Sequence, residues 1–172
     1  FINSCIKIFC YSEKVKDFPN ILKNKISIIP TLLRKKFYSI QQVESKVIGK
    51  EINLLIIGGS QGAKLFDTII SETIILLSKK YNIKVIQQTN FKNYKYIKSL
   101  YSKNNIENKL FDFNEDISNF MSKSNICITR AGASTLAELV FLNLPHIAIP
   151  LPSAKDNHQF ENASFYQQLG CN

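Results

Sequence analysis

Long apolar runs and paired cysteine motifs are both missing from this 172-residue chain. Its longest apolar runs are strand-sized, far short of the roughly 20 residues of a membrane helix, so no transmembrane segment is predicted. The four cysteines form no C-x-x-C pair and have no histidine at ligand spacing. This pattern argues against a zinc site, any other metal centre or a disulfide framework, and favours a reducing cytoplasm.

Acidic residues are scarce, with 13 Asp and Glu against 22 Lys and Arg, and the net charge is +9. A basic surface could recruit anionic lipid, nucleic acid or a phosphorylated substrate. Alternatively, a compositional drift towards Lys, Ile and Asn raises the charge without any partner. The lysines are scattered rather than gathered into one block, which favours drift over a dedicated binding face. No nucleic-acid-binding module is recognisable, so no nucleic-acid partner is expected.

Glycine is also rare, and four of the six glycines lie in two turns that each follow an apolar strand. The first turn is residues 58–63 (GGSQGA) and the second is residues 129–138 (TRAGASTLAE). Such turns hold phosphate, because backbone N–H groups and the positive end of the helix dipole point at the anion. A tight turn from strand to helix would also need residues that tolerate unusual backbone angles, but the first turn has more glycines than such a turn requires. The turns match neither the G-x-G-x-x-G fingerprint nor a P-loop, and together they suggest a nucleotide diphosphate.

Short apolar runs alternate with helix-period stretches, the pattern of βαβ units around a parallel sheet. Strands are predicted at 6–11, 25–29, 52–57, 83–87, 109–113, 126–129 and 145–149. Helices are predicted at 63–80, 91–102, 116–122, 134–142 and 156–169. Strands that are apolar on both faces indicate an α/β fold with a doubly wound, Rossmann-like parallel sheet. An apolar fraction of 45% and a length typical of one domain fit a globular protein.

In the second turn, Ser134 and Thr135 can cap the helix while offering N–H groups to a diphosphate. Glu138 follows Ser134 by four residues and lies on the same helix face, where a carboxylate can accept hydrogen bonds from a ribose diol. Its alternative role is a negative charge near a helix N-terminus, worth about 0.3–1 kcal/mol. With the small residues before it, we favour ligand binding.

The loop of residues 150–163 follows another strand and is dense in hydrogen-bonding side chains. Gln159 could orient sugar hydroxyls, and Asp156 could cap the next helix. His158 is predicted to be a surface residue rather than an acid–base group. His146 is predicted to lie at a strand edge without a chemical role.

Three segments together resemble the MurG family of peptidoglycan glycosyltransferases. They are residues 58–63, residues 130–138, and residues 155–159 with Asn162 and Ala163, in the family's order and spacing. The resemblance covers nearly the whole chain but only the carboxyl-terminal half of such an enzyme. It implies half of a GT-B fold, with residues 1–50 as the end of the interdomain connection and first strands. Residues 51–172 are then the UDP-sugar-binding domain.

Carried over by position, the resemblance implies that Ser60 contacts phosphate, Glu138 the ribose and Gln159 the N-acetylglucosamine. Arg34, in a segment similar to the family's Pro-Val-Arg, becomes a donor contact. The implied UDP-N-acetylglucosamine site comprises Arg34, Ser60, Gln61, Asn114, Ala133, Ser134, Thr135, Leu136, Ala137, Glu138 and Gln159. The sequence departs from the family at Pro30, Thr31 and Leu32 before the arginine, and at Asn114, where the family commonly has an apolar residue.

The family's acceptor loop, general base and membrane-facing patch belong to an amino-terminal domain that these residues do not include. The chain opens on Phe1 and stops soon after Gly170, so we expect one half of a larger protein. We expect no cofactor, no required metal and no catalytic residue here, but donor binding for inverting transfer to undecaprenyl-diphospho-muramoyl-pentapeptide. The expected location is peripheral, at the cytoplasmic face of the bacterial inner membrane. Two alternatives remain: the soluble donor subunit of a split transferase with a membrane partner, or a non-catalytic decayed product.

Overall fold

A computed structural model describes residues 4–13, 15, 17–40, 49–58, 65–113 and 116–171. The chain forms two compact units, Phe1–Leu33 and Arg34–Asn172. The first unit contains strand β1 (Ile8–Cys10), a 3-10 turn at Asn20–Lys25 and strand β2 (Ile26–Ile28). The two strands pair in parallel, with Ile8 opposite Ile26. Each strand lies within its predicted range but is shorter than predicted.

The second unit carries a parallel sheet with its connecting helices. Its elements in chain order are a 3-10 turn (Lys35–Ser39), β3 (Glu51–Ile57), a π-helical turn (Phe66–Ile70), α1 (Ser71–Ser78), β4 (Asn82–Gln88), a 3-10 turn (Phe91–Asn93), α2 (Tyr94–Lys103), β5 (Asn108–Phe111), α3 (Ile117–Lys123), β6 (Ile126–Arg130), α4 (Ala133–Phe141), β7 (His146–Ile149), a 3-10 turn (Lys155–Asn157) and α5 (His158–Gln168). The strand order is β5-β4-β3-β6-β7, and all four pairings are parallel.

The sheet is buried on both faces, as its continuous apolar strands predict. Leu54 and Ile56 of β3 point to one face and pack with Phe66, Ile74 and Ile97 of the helical segments there. The residue between them, Leu55, points to the opposite face and is also fully buried. Because successive side chains of a strand alternate, helices must cover both faces, which confirms the doubly wound, Rossmann-like class.

The predicted elements of this unit are confirmed, with differences at their ends. In the described part of the helix predicted at 63–80, Phe66–Ile70 form a π-helical turn and Ser71–Ser78 form an α-helix. The strand predicted at 109–113 ends at Phe111, because Asp112 leaves the ladder and its carbonyl accepts from Gln88 Nε2 at 2.9 Å. The strand order reverses between β3 and β6. In such sheets, ligands bind outside the carboxyl ends of the two strands where the order reverses.

Candidate functional site at the carboxyl edge of the sheet

The first glycine-bearing turn follows β3 at this point of reversal. Gly58 is buried directly behind Ile57, and residues 59–64 lie outside the described part of the chain. The predicted contacts of Ser60 and Gln61 therefore stay predictions, as does that of Asn114, which also lies outside the described residues.

The second turn connects β6 to α4, whose N-cap is Gly132 with φ −73° and ψ 133°. No side chain caps this helix, so the predicted capping by Ser134 and Thr135 is wrong. The N–H groups of the first helical turn consequently have no acceptor within the helix. An added Cβ on Gly132 would meet only the Thr135 hydroxyl, at 3.8 Å. Neither backbone angle nor packing requires glycine here, and its small size leaves the turn open to a close approach.

Glu138, in the middle of α4, is fully buried and bound by Arg34. Arg34 Nε donates to one carboxylate oxygen and Nη2 to the other, both at 2.6 Å. This bidentate geometry is the strongest form of a charge-assisted hydrogen bond between side chains. Arg34 and Glu138, two of the residues predicted to contact the donor, thus contact each other although they are 104 positions apart in sequence.

The other surroundings of Arg34 leave its side chain accessible. The side chain is 52% exposed, and its guanidinium lies 5.4 Å from the ring centre of the buried Phe37. The hydrogen bonds to Glu138 raise the pKa of Arg34 above its usual value, and partial burial opposes that shift. The cation is therefore held by one carboxylate and one aromatic face, and it is reachable from solvent.

The other predicted site residues of α4 precede Glu138, at positions 133–137. The side chains of Leu136 and Ala137 are buried in the core, so these two predicted site residues can meet a ligand only through their backbone. Ala133 begins the helix, and Ser134 and Thr135 complete its first turn.

A cavity of about 210 Å³ lies beside the ion pair, at the carboxyl ends of β3, β4 and β5. Its lining residues are Arg34, Ile57, Gln88, Phe111, Phe113, Ile117, Met121 and Thr135. Phe113 is 80% exposed although it is aromatic. Sequence reasoning named Arg34 and Thr135 but missed the apolar members. An aromatic residue just beyond the end of a parallel strand was the available signal for them.

The loop after β7 is tied to the rest of the edge by α5. Gln159 Oε1 accepts from the Leu151 N–H at 2.9 Å, and Asn162 Nδ2 donates to the Ala131 carbonyl at 3.0 Å. Within the described part of the chain, Gln159 Nε2 makes no hydrogen bond. One end of the Gln159 amide therefore holds the loop, and the other end can still donate.

Two other predictions for this loop have different outcomes. Asp156 does not cap α5: it has φ 53° and, like Asn157 after it, lies in the left-handed region. Asp and Asn tolerate that region better than other non-glycine residues, because their short side chains hydrogen-bond locally. His158 is exposed, as predicted, and its Nδ1 lies 2.7 Å from the Lys155 carbonyl oxygen.

Arg130, the last residue of β6, joins the ends of neighbouring strands. Its Nη1 donates to the carbonyls of Ile149 and Pro150 at 3.3 and 3.2 Å. Its guanidinium lies 5.0 Å from the ring centre of Phe66, and burial lowers its pKa. We interpret Arg130 as a residue that fixes the edge of the sheet on which the site is built.

A larger cavity, of about 460 Å³, lies at the amino-terminal end of β7. It is lined by Val140, Asn143, Leu144, Pro145, His146, Gly170 and Cys171. His146, predicted at a strand edge, begins β7 but is buried, and burial lowers its pKa. Its described lining residues include no lysine or arginine and no helix N-terminus, so this cavity is the poorer candidate for an anionic ligand.

Neither a metal centre nor a membrane span is evident in the described residues. No group of three or more His, Cys, Asp or Glu there could hold a metal ion. None of the described helices is sufficiently long and apolar to cross a bilayer.

Comparison with known proteins points to one family. The model for "Glycosyltransferase family 28 C-terminal domain" matches residues 53–172. A protein of Pelagibacter ubique named UDP-N-acetylglucosamine--N-acetylmuramyl-(pentapeptide) pyrophosphoryl-undecaprenol N-acetylglucosamine transferase is 56% identical over 172 residues, which is 100% of this chain and 48% of that protein. A protein of the same name from Rickettsia bellii is 37% identical over 99% of this chain and 49% of its own length.

Among solved structures, Acinetobacter baumannii MurG superposes with a TM-score of 0.67 and 26% identity, covering 85% of this chain and 41% of that one. The chain therefore spans about half the length of the relatives that it matches.

Proposed function

Because the chain belongs to glycosyltransferase family 28 and carries its C-terminal domain, we propose that it binds UDP-N-acetylglucosamine. It would do so as the donor half of an inverting N-acetylglucosamine transferase. The acceptor, as in the name of the similar proteins, would be the undecaprenyl-linked muramoyl-pentapeptide (lipid I). The observation that carries this proposal is the buried Glu138, held by an exposed arginine beside a cavity at the reversal of strand order.

Glu138 is suited to the ribose of the nucleotide. A carboxylate offers about four lone-pair positions and can accept from both hydroxyls of a cis-diol. In the structure both of its oxygens accept hydrogen bonds from Arg34. Because Glu138 is otherwise enclosed, a ribose can reach those oxygens only when the Arg34 side chain moves aside.

Arg34 is suited to the diphosphate after that movement. A guanidinium binds phosphate bidentately, in the same geometry with which Arg34 binds Glu138. The diphosphate would lie against the uncapped first turn of α4, where Gly132 allows a close approach. Donor binding would then exchange one anionic partner of Arg34 for another, and ribose hydroxyls would replace the lost bonds to Glu138.

The adjoining cavity is suited to the uracil base. Phe111, Phe113, Ile117 and Met121 provide apolar surface there, and Gln88 provides an amide. The exposed ring of Phe113 gives a flat surface on which a base can stack, since every nucleic-acid base has a π-face. Asn114, which is predicted to contact the donor, is the next residue in the sequence.

The sugar would lie on the side of Gln159, whose Nε2 can donate to a hydroxyl. Inverting transfer needs a general base on the acceptor hydroxyl and stabilisation of the departing UDP. This chain would supply the second requirement, through Arg34 and the N–H groups of α4, together with Ser60 and Gln61 of the first turn. The base, and with it the catalytic residues, would lie in the amino-terminal half.

The remaining assignments follow from the same proposal. Residues 1–50 would be the end of the interdomain connection and first strands, and residues 51–172 the UDP-sugar-binding domain. The whole protein would be peripheral at the cytoplasmic face of the inner membrane, where a lipid-linked acceptor is accessible. The alternative of a decayed product is disfavoured because the Arg34–Glu138 geometry is intact.

Calorimetry of the chain with UDP-N-acetylglucosamine tests the proposal. Glu138→Ala should weaken UDP-N-acetylglucosamine and UDP equally, by about 1.5–3 kcal/mol or roughly ten- to 150-fold, since it removes hydrogen bonds to a charged group. Gln159→Ala should weaken the sugar nucleotide more than UDP. Glu161→Ala, an exposed change on α5, is the matched control and should alter neither. Absence of heat at millimolar ligand, in a chain shown to be folded, would contradict the proposal.

A further inference from the structure

The solvent-facing side of α2, with the turn before it, carries charge of one sign only. Residues 89–106 contain four lysines and neither aspartate nor glutamate. All four side chains, Lys92, Lys95, Lys98 and Lys103, are exposed. The lysines are scattered when the sequence is read as a whole, yet these four lie together on α2 and the turn before it.

Helix geometry places the basic residues opposite the buried face. Ile97 and Tyr101 of α2 are fully buried against the sheet. Lys95, Ser99 and Lys103 are spaced four residues apart, so they form one row on the outer face. We call this surface, formed by the four lysines together with Phe91 and Tyr96, the basic helix face.

The lysines of the basic helix face have no carboxylate partner among the described residues. By contrast, Lys84 on the neighbouring strand binds Glu51 at 3.3 Å and Glu107 at 3.1 Å. Glu107 is the nearest carboxylate after α2 in sequence, and this contact engages it. The charge of the basic helix face is therefore not neutralised within the described chain, and it is available to an external anion.

Two aromatic rings stand among these lysines. Phe91 is 79% exposed and Tyr96 is 60% exposed, although each could bury a large area elsewhere. Aromatic side chains with an apolar body are favoured at the level of lipid headgroups, and clustered lysines bind anionic headgroups. Neither arginine of the chain lies in this segment, so the bidentate recognition typical of nucleic-acid readers is missing.

We propose that the basic helix face binds the anionic surface of a phospholipid bilayer directly, through Lys92, Lys95, Lys98 and Lys103 with Phe91 and Tyr96 at the headgroup level. This goes beyond the function proposed above, which assigns no membrane contact to this chain. The carboxyl-terminal half then holds its own contact to the membrane that carries the acceptor. Binding of UDP-N-acetylglucosamine is not needed for this contact.

Sedimentation with lipid vesicles tests the inference. The chain should bind vesicles that contain phosphatidylglycerol, should bind neutral phosphatidylcholine vesicles weakly, and should be released by molar salt, which screens surface charge within about 3 Å. The variant K95E/K98E/K103E should lower the partition coefficient at least tenfold, because each lysine near an anionic surface contributes roughly fivefold. Phe91→Ala with Tyr96→Ala should lower it by a smaller factor.

The control is K79E/K80E/K123E, which changes the net charge equally at exposed lysines outside α2. It should keep most of the binding, and circular dichroism should show both triple variants folded. Equal loss in the two triple variants, failure of the unmodified chain to bind anionic vesicles, or binding of single-stranded RNA in place of vesicles would overturn the inference. Calorimetry with UDP-N-acetylglucosamine on the same samples keeps the questions separate, since vesicle binding without donor heat would contradict only the proposed function.

Discussion

Two buried carboxylates lie on either side of the point where the strand order reverses, and they are held in opposite ways. Asp67 lies in the π-helical turn after β3, and Glu138 lies in α4 after β6. Both oxygens of Asp67 accept from neutral amides, Gln87 Nε2 at 3.0 Å and Asn93 Nδ2 at 2.8 Å. Both oxygens of Glu138 accept from the single cation of Arg34.

The surroundings of Asp67 form a closed network. Gln87, which binds Asp67, also accepts from the Tyr101 hydroxyl, and that hydroxyl lies 3.1 Å from Ser71 Oγ. Ser71 in turn donates to the Phe66 carbonyl at 3.0 Å, and burial raises the pKa of Tyr101. Every member except Asn93 is buried, so no water or ligand can replace a lost partner. The network fixes the helix that follows the first glycine-bearing turn.

Glu138 has a partner that can leave. Arg34 is half exposed and precedes a short 3-10 turn, so its side chain can move without disturbing the core. Burial alone therefore does not mark a binding residue. A carboxylate enclosed by fixed neutral donors is structural, whereas we propose that one covered by an exposed cation can exchange its partner.

Gln87→Leu should give the largest effect, because it deprives Asp67 and Tyr101 of partners that water cannot supply. We expect a loss of about 3 kcal/mol in the free energy of unfolding, measured by urea denaturation, since buried unsatisfied groups carry their full desolvation penalty. Gln88→Leu, the next residue on β4, has a more exposed amide and should cost less than 1 kcal/mol. Similar losses of unfolding free energy for the two variants would contradict the view that the buried Asp67 network cannot replace a lost partner with water.

Arg34→Ala should give the next largest effect, and on binding rather than on folding. Water can reach Glu138 once Arg34 is gone, so the free energy of unfolding should fall by about 1 kcal/mol, the low end of the cost of leaving a buried group without its partner. Affinity for UDP should fall by about 2 kcal/mol, since a charged contact to phosphate is lost. Affinity for uridine should be unchanged or higher, because the competitor for Glu138 is removed. Parallel weakening of UDP and uridine, measured by calorimetry, would rule out the exchange.

Most of the fold was predictable because its signals are local. Residues 54–57 are apolar at every position, the pattern of a strand that is buried on both faces. The glycine-bearing turn after β6 and Glu138 on one helix face also follow from spacing within a few residues. These features depend on near neighbours in sequence, where periodicity carries the information.

What could not be predicted depends on distant residues. The Arg34–Glu138 pair joins positions 104 residues apart, and the Asp67 network joins five elements: the π-helical turn, α1, β4, the 3-10 turn before α2, and α2 itself. Asp156 was expected to cap α5, but a left-handed backbone at that residue and at Asn157 carries its side chain out of capping position. The basic helix face was predictable in principle, because spacings of three to four residues place side chains on one surface of a helix. Counting lysines along the chain, without regard to helical spacing, does not reveal it.

A change at His146 should give the smallest effect, and it tests whether burial of a group with one unpartnered nitrogen makes the free energy of unfolding depend on pH. Its Nδ1 lies 3.1 Å from the Leu144 carbonyl, whereas its Nε2 is buried without a partner in the described residues. Burial lowers its pKa, so the unfolded chain binds the proton more readily. Stability should therefore be complete above the ordinary histidine pKa of about 6.5 and decline as the pH falls through it. Urea midpoints between pH 7.5 and roughly 5.5 should show this decline, and His146→Gln should flatten it. His158→Gln, at the exposed second histidine, should leave the decline intact, and an unchanged slope in the His146 variant would assign it to other groups.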